Sequence, residues 1–158
     1  MTQPEQRFGV VDLATLKGER GLDFLRGIIE GRHPAPPIAA TLGFRLAEVA
    51  HGRAVFEGVP ERRHYNPIGT VHGGYAATLL DSCMGCAVHA TLDAGQGYTT
   101  LEFKVSLVRP ITEATGAVRA EGQVLSAGRR AATAEGRLVD AAGRLLAHGT
   151  TSCLIFPL

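Results

Sequence analysis

A chain of 158 residues with 45% apolar side chains can bury one sizeable core but is too short to argue for two. Its formal net charge of +1, spread over interspersed acids and bases, gives no basic stripe for a row of phosphates and speaks against nucleic acid as a partner. No apolar run approaches the ~20 residues of a membrane span, the N-terminus lacks the basic-then-apolar order of a secretory signal, and Glu5, Asp12, Glu19, Asp23 and Glu30 are too acidic for a mitochondrial presequence, so a cytoplasmic protein without a membrane partner is expected.

Along the chain, Leu22, Leu25, Ile28 and Ile29 recur at helical spacing between Gly18 and Gly31, which predicts a short amphipathic helix. The cluster from Pro34 to Pro37 then breaks the chain, so residues 1–37 read as an N-terminal extension and residues 38–158 as the main domain. Phe44 to Ala50 and Arg53 to Val59, joined by the turn-forming pair His51 and Gly52, predict a hairpin. A polar loop bounded by Pro60 and Pro67 follows.

From Gly73 to about Thr91, Ala76, Leu79, Leu80, Cys83, Met84, Ala87 and Val88 mark one apolar face of a long, largely buried helix. Asp93 to Gly97 ends it, and the period then changes to two. Leu101, Phe103, Val105 and Leu107 alternate with Glu102, Lys104 and Ser106, as a strand with one buried face requires. Extended runs over Gly116 to Leu125, Arg130 to Val139 and Arg144 to Phe156 are separated by connections too short for parallel crossovers, so the sheet should be antiparallel. The expected α+β architecture is a hairpin, a long central helix and a four-strand meander, with the helix covering one face of a curved sheet. Ala120, Gly122, Ala132, Ala134 and Gly136 let a helix backbone come close to it.

The three cysteines, an odd number without an export signal, argue against a disulfide framework. Cys83 and Cys86 form a C-x-x-C inside the helix rather than at its N-terminus, and with His89 they still lack a fourth ligand, so small core residues are expected and no metal.

Chemistry concentrates at the start of the long helix. Gly73 and Gly74 leave backbone N–H groups unshielded where the helix dipole attracts developing negative charge. Asn66 offers a donor and an acceptor just upstream, and His72 offers a ring that can orient the loop or a substrate. Asp81, nine positions after His72, is the only charged side chain between Tyr75 and Val88, and a carboxylate among apolar and small neighbours costs desolvation unless it is paired or used.

With Asn66, Gly69, His72, Gly73, Gly74 and Asp81 in this spacing, the chain resembles the hot-dog thioesterases of the phenylacetate-degradation type over roughly residues 38–156. That resemblance implies a strongly curved antiparallel sheet wrapped around one helix, two such sheets paired into a dimer, and often a dimer of dimers. It implies hydrolysis of an acyl-coenzyme A thioester, with no cofactor because coenzyme A is part of the substrate. Gly73 would polarise the thioester carbonyl, Asn66 and His72 would line the site, and Asp81 would act as general base or nucleophile on substrate bound mainly to the partner subunit's loop. Thr100 matches a Ser or Thr that helps hold the water in some relatives, although a one-residue slip would put Thr99 there instead. The turn Ser126 to Arg129 resembles the loop that meets the nucleotide, so Gly128, Arg129 and Arg130, with Arg109 and Gly74, are expected to contact substrate. The N-terminal extension departs from the shorter relatives and is suited to covering an acyl tunnel or an assembly interface. A non-catalytic acyl-CoA sensing module is the alternative, and Asp81 argues against it; a hot-dog dehydratase would place its catalytic pair differently.

Overall fold

A computed structural model describes residues 6–158. Six antiparallel strands form one sheet in the order β1-β2-β4-β5-β6-β3, where β1 is Phe44–Ala50, β2 Arg53–Gly58, β3 Gln96–Leu107, β4 Val118–Ala127, β5 Ala131–Asp140 and β6 Leu145–Pro157. The long helix, Gly73–His89, touches every strand, and its predicted apolar face is buried throughout. On the sheet side the small residues act as expected. A Cβ added at Gly122 would stand 2.3 Å from the Cys83 carbonyl oxygen, and one at Gly136 2.9 Å from Met84 Cγ. This is the hot-dog arrangement.

Two expectations are corrected. β4, β5 and β6 form a meander, but β3 joins the far edge beside β6 instead of pairing with β4. The segment from Val108 to Ala117 is long enough to carry the chain across the end of the sheet, and β4 pairs with β2. The strand also begins at Gln96, so Gly97 lies within β3, and a bulge falls between Thr100 and Glu102. The second correction concerns its apolar face: Leu101, Phe103 and Leu107 are 61%, 43% and 60% exposed. They occupy an edge strand whose outer edge pairs with no other strand among the described residues.

Ahead of the sheet stand three short helices, which in chain order precede the long one: α1 (Leu13–Gly18), α2 (Gly21–Ile29) and α3 (Pro37–Leu42), making the long helix α4. The helix predicted from the Leu22 to Ile29 pattern is α2. Asp12 caps α1, accepting the Thr15 N–H at 2.9 Å. The proline run opens a helix, because Pro37 sits in the first turn, where the missing N–H costs nothing, and Gly43 ends it in the left-handed region. α2 docks against the end of α4: Gly21 N–H donates to the Leu92 carbonyl at 3.0 Å, and a Cβ at Gly21 would collide with the His89 carbonyl. Phe24 and Leu25 join the same core as Leu46, Phe56 and Val88. Among the described residues no helix is long and apolar enough to cross a membrane.

The α2 and α4 contact has a pH dependence. His89 lies between the rings of Phe24 at 5.5 Å and Tyr98 at 5.4 Å, and burial holds its imidazole down to about 4. Between about 6.5 and about 4 the unfolded chain therefore binds a proton that the folded chain refuses, so stability is lost as pH falls through this window. His89→Gln should reduce the loss between pH 7 and pH 4.5 by about 2 kcal/mol, read by urea unfolding at both pH values.

Candidate active site

The loop entering α4 is built by its own polar groups. Asn66 Nδ2 donates to Thr70 Oγ1 at 2.9 Å, and Asn66 Oδ1 accepts the Ile68 and Thr70 N–H groups at 3.1 and 3.4 Å. These bonds tie the side chain into the turn, which Gly69 closes with φ of 90°. His64 closes the loop's base: its carbonyl accepts the His72 N–H at 2.8 Å. Its ring stacks on Tyr75 at 4.5 Å, and Nδ1 accepts the Glu61 N–H at 2.9 Å. His64 therefore has a structural role in setting where the helix begins.

His72 is the N-cap of α4, its Nδ1 accepting the Gly74 N–H at 2.8 Å. That bond puts the ring proton on Nε2 of an exposed imidazole. A Cβ at Gly74 would stand 2.9 Å from His72 Nδ1, so glycine is what lets the ring sit over its own helix. The Gly73 N–H, first in the helix, has no intrahelical acceptor and is left at the positive end of the dipole. Asn66, Thr70, His72, Gly73, Leu107 and Arg109 line one cavity of about 280 Å³.

Asp81 does not line that cavity. It lies on the same helix eight residues beyond Gly73, which at 1.5 Å per residue is about 12 Å along the axis. Thr100 donates its hydroxyl to Asp81 Oδ1 at 3.1 Å, which places Thr100, and not the exposed Thr99, on the helix side of β3. Among the described residues Oδ2 receives no hydrogen bond. Tyr98 covers the next turn, its hydroxyl 3.0 Å from where a Cβ at Gly85 would be. Burial pushes the Cys86 thiol up to about 12 and the Cys83 thiol still higher, so both remain protonated core groups.

The chain thus carries two separate groups of expected site residues. Asn66, His72, Gly73, Gly74 and Arg109 stand at the N-terminal end of α4. Asp81 and Thr100 belong to the other group, and so does the turn holding Gly128, Arg129 and Arg130, since Thr100 pairs with Cys153 and Cys153 with Ala132. Gly128 closes that turn by donating its N–H to the Ala131 carbonyl at 2.8 Å. Arg109, Arg129 and Arg130 are exposed and form no ion pair among the described residues. Tyr98, which the sequence did not single out, packs on α4 at Gly85, one turn beyond Asp81; it precedes the alternating run that begins at Leu101, so no periodicity marked it.

Comparison with known proteins gives a consistent result. Residues 68–147 match the thioesterase superfamily. The chain is 30% identical over 127 residues to human acyl-coenzyme A thioesterase 13, covering 79% of this chain and 89% of that protein. A phenylacetic acid degradation-related protein from Ralstonia eutropha is 30% identical with a TM-score of 0.73, over 85% of this chain and 98% of that one. A mutant of the phenylacetic acid degradation protein PaaI from Thermus thermophilus is 28% identical with a TM-score of 0.68, over 75% of this chain and 97% of that one.

The cap geometry is testable through Gly74. Gly74→Ala should drive the His72 ring off the Gly74 N–H and cost about 1 kcal/mol, as loss of a helix cap does. Thermal unfolding would show it, and an unchanged midpoint would mean that the ring does not depend on this glycine.

Proposed function

The chain belongs to the thioesterase superfamily and is a thioester hydrolase, and from that premise we propose that it splits acyl-coenzyme A into a free acid and coenzyme A in active sites shared between subunits. The observation that carries this reading is the separation of about 12 Å between Gly73 and Asp81 on one rigid helix. A single carbonyl cannot touch both groups of one chain. Gly73 of one subunit and Asp81 of the partner subunit can meet around a carbonyl if two chains pair through the exposed edge of β3. The Leu101, Phe103 and Leu107 side chains there give such pairing an apolar face to bury.

In this site the Gly73 N–H and the dipole of α4 stabilise the oxyanion that forms when the thioester carbonyl is attacked. Thr100 holds Asp81 by Oδ1, so that Oδ2 is the oxygen presented to the reaction. As a general base, Oδ2 takes a proton from water while the water oxygen bonds to the carbonyl carbon. As a nucleophile, Oδ2 bonds to that carbon, forming an anhydride that water then opens. In both routes collapse of the tetrahedral species breaks the carbon–sulfur bond and releases coenzyme A as a thiolate, a leaving group stable enough to need little protonation. Asn66 shapes the loop that presents Gly73, and His72 offers its Nε2–H at the site mouth.

The exposed guanidinium groups of Arg129 and Arg130, unpaired among the described residues and beside the Gly128 turn, suit the phosphates of coenzyme A, and Arg109 suits them at the other end of the site. The reaction needs no cofactor beyond the coenzyme A of the substrate itself. The assembly is a dimer or a dimer of dimers.

Asp81→Asn keeps the size of the side chain and removes its charge. Turnover, followed by coenzyme A release with a thiol reagent, should fall at least ~10²-fold with folding and assembly intact. A variant that works at the parental rate would sink this mechanism. Phe103→Glu should dissociate the assembly to single chains in light scattering and lose activity to a similar degree; a fully active single chain would rule out the shared site.

A further inference from the structure

The short turn Arg62–His64 carries the loop that presents Gly73, and His64 is 6% exposed. Among the described residues its ring makes one hydrogen bond, in which Nδ1 accepts the Glu61 N–H at 2.9 Å. A neutral imidazole that accepts at Nδ1 carries its proton on Nε2, and that atom is buried with no partner among the described residues. A second proton would have to enter at Nδ1, where it meets another N–H. Protonation therefore costs this ring the one bond it makes, and the cation gains no acceptor in exchange.

The charged and titratable groups that face the ring do not rescue the cation. Glu61 and Arg63 stand on its own turn and pair with each other at 3.2 Å, and Arg63 opposes an imidazolium more than Glu61 favours it. Tyr75 of α4 stacks on the ring with centroids 4.5 Å apart, and burial pushes its hydroxyl up to about 12, so it stays neutral. Burial first, and Arg63 second, hold the His64 imidazole below the usual histidine range.

His64 also grips α4 on both sides of Gly73. Its carbonyl accepts the N–H of His72, the residue before, at 2.8 Å, and its ring lies on Tyr75, two residues after. The Gly73 N–H is thus held between two contacts of one residue, whose own place depends on the Nδ1 bond.

We propose that His64, as the neutral imidazole alone, is the positioning residue for the Gly73 N–H, and that protonating its ring displaces this donor and lowers turnover while leaving substrate affinity unchanged. This rests on the thioesterase reading above, with Gly73 as the oxyanion donor. Activity is then complete above the His64 titration and is lost as pH falls through it, below the ordinary histidine value of 6.5.

The test compares the parental protein with His64→Asn, whose Oδ1 stands where Nδ1 does and accepts the Glu61 N–H without titrating, and with His64→Leu, which has no acceptor. At about pH 8, His64→Leu should lower kcat about tenfold or more with KM within about twofold, because a displaced oxyanion donor is felt in the transition state. His64→Asn should recover most of that loss. The ratio of parental to His64→Asn kcat should then fall as a single-proton titration between about pH 8 and about pH 5, since Asp81 and His72 titrate in both proteins and cancel. A flat ratio, or a His64→Leu protein with the parental kcat, overturns the proposal. If the parental protein hydrolyses no acyl-coenzyme A, the thioesterase reading fails instead, and the grip of His64 is then read by hydrogen exchange. Exchange over residues 61–75, corrected for the pH dependence of free amides, should accelerate in the parental protein between about pH 7.5 and about pH 5, and not in His64→Asn. Should His64→Asn not fold, the parental exchange decides alone: no acceleration over this segment overturns the proposal.

Discussion

The approach of α4 to the sheet at Gly122 governs the rest of the molecule. With the Cys83 carbonyl so near that a Cβ at Gly122 would stand 2.3 Å away, the helix backbone lies against β4 with no side chain between. Gly136 gives similar room to Met84 and Leu80 on β5. An α4 held this closely has no freedom to roll. Its Leu79, Leu80, Cys83, Met84, Ala87 and Val88 face is committed to the core, and Gly73, Asp81 and Gly85 fall toward β3, the edge strand, where Leu107, Thr100 and Tyr98 meet them. The chemistry is set on the helix by where its packing is tightest.

Polar groups in this molecule are segregated accordingly. Arg53 and Glu121 pair at 2.8 Å, and Arg119 and Glu48 at 2.7 Å, across β1, β2 and β4, where they are partly exposed to water and hold both guanidinium and carboxylate groups away from α4. Near α4 the polar inventory is short: a capping imidazole, a free N–H at Gly73, and a carboxylate bonded by one threonine. Such sparse groups in a site from which water can be excluded act more strongly than the same groups would in solvent.

The N-terminal helices extend this logic to the far end of α4. Gly21 lets α2 come within hydrogen-bond distance of Leu92, and the stack of Phe24, His89 and Tyr98 joins the segment to the turn of α4 that follows Asp81. A neutral histidine serves there as an aromatic spacer. The segment packs into the same apolar core as the sheet, while leaving a cavity behind it.

Much of this was legible in the residues alone. The 3.6 period of α4, the turn residues between β4, β5 and β6, the small residues facing α4, and the spacing of Asn66, His72, Gly73 and Asp81 are local or short-range features, written in propensities and in sterics that hold wherever the chain goes. Strand order was not, because β3 could satisfy its alternation on either flank of the sheet, and its choice of β6 depends on β4 having paired with β2. The choice of Thr100 over Thr99 beside Asp81 likewise needed the register of β3, since one residue of slip reverses every side chain of a strand. The sequence by itself determined the long helix and its buried face. Only the tertiary structure decided what meets the residues along it, Thr100 at Asp81 and Leu107 at Gly73, because the register of β3 against α4 is fixed by contacts between segments distant in sequence.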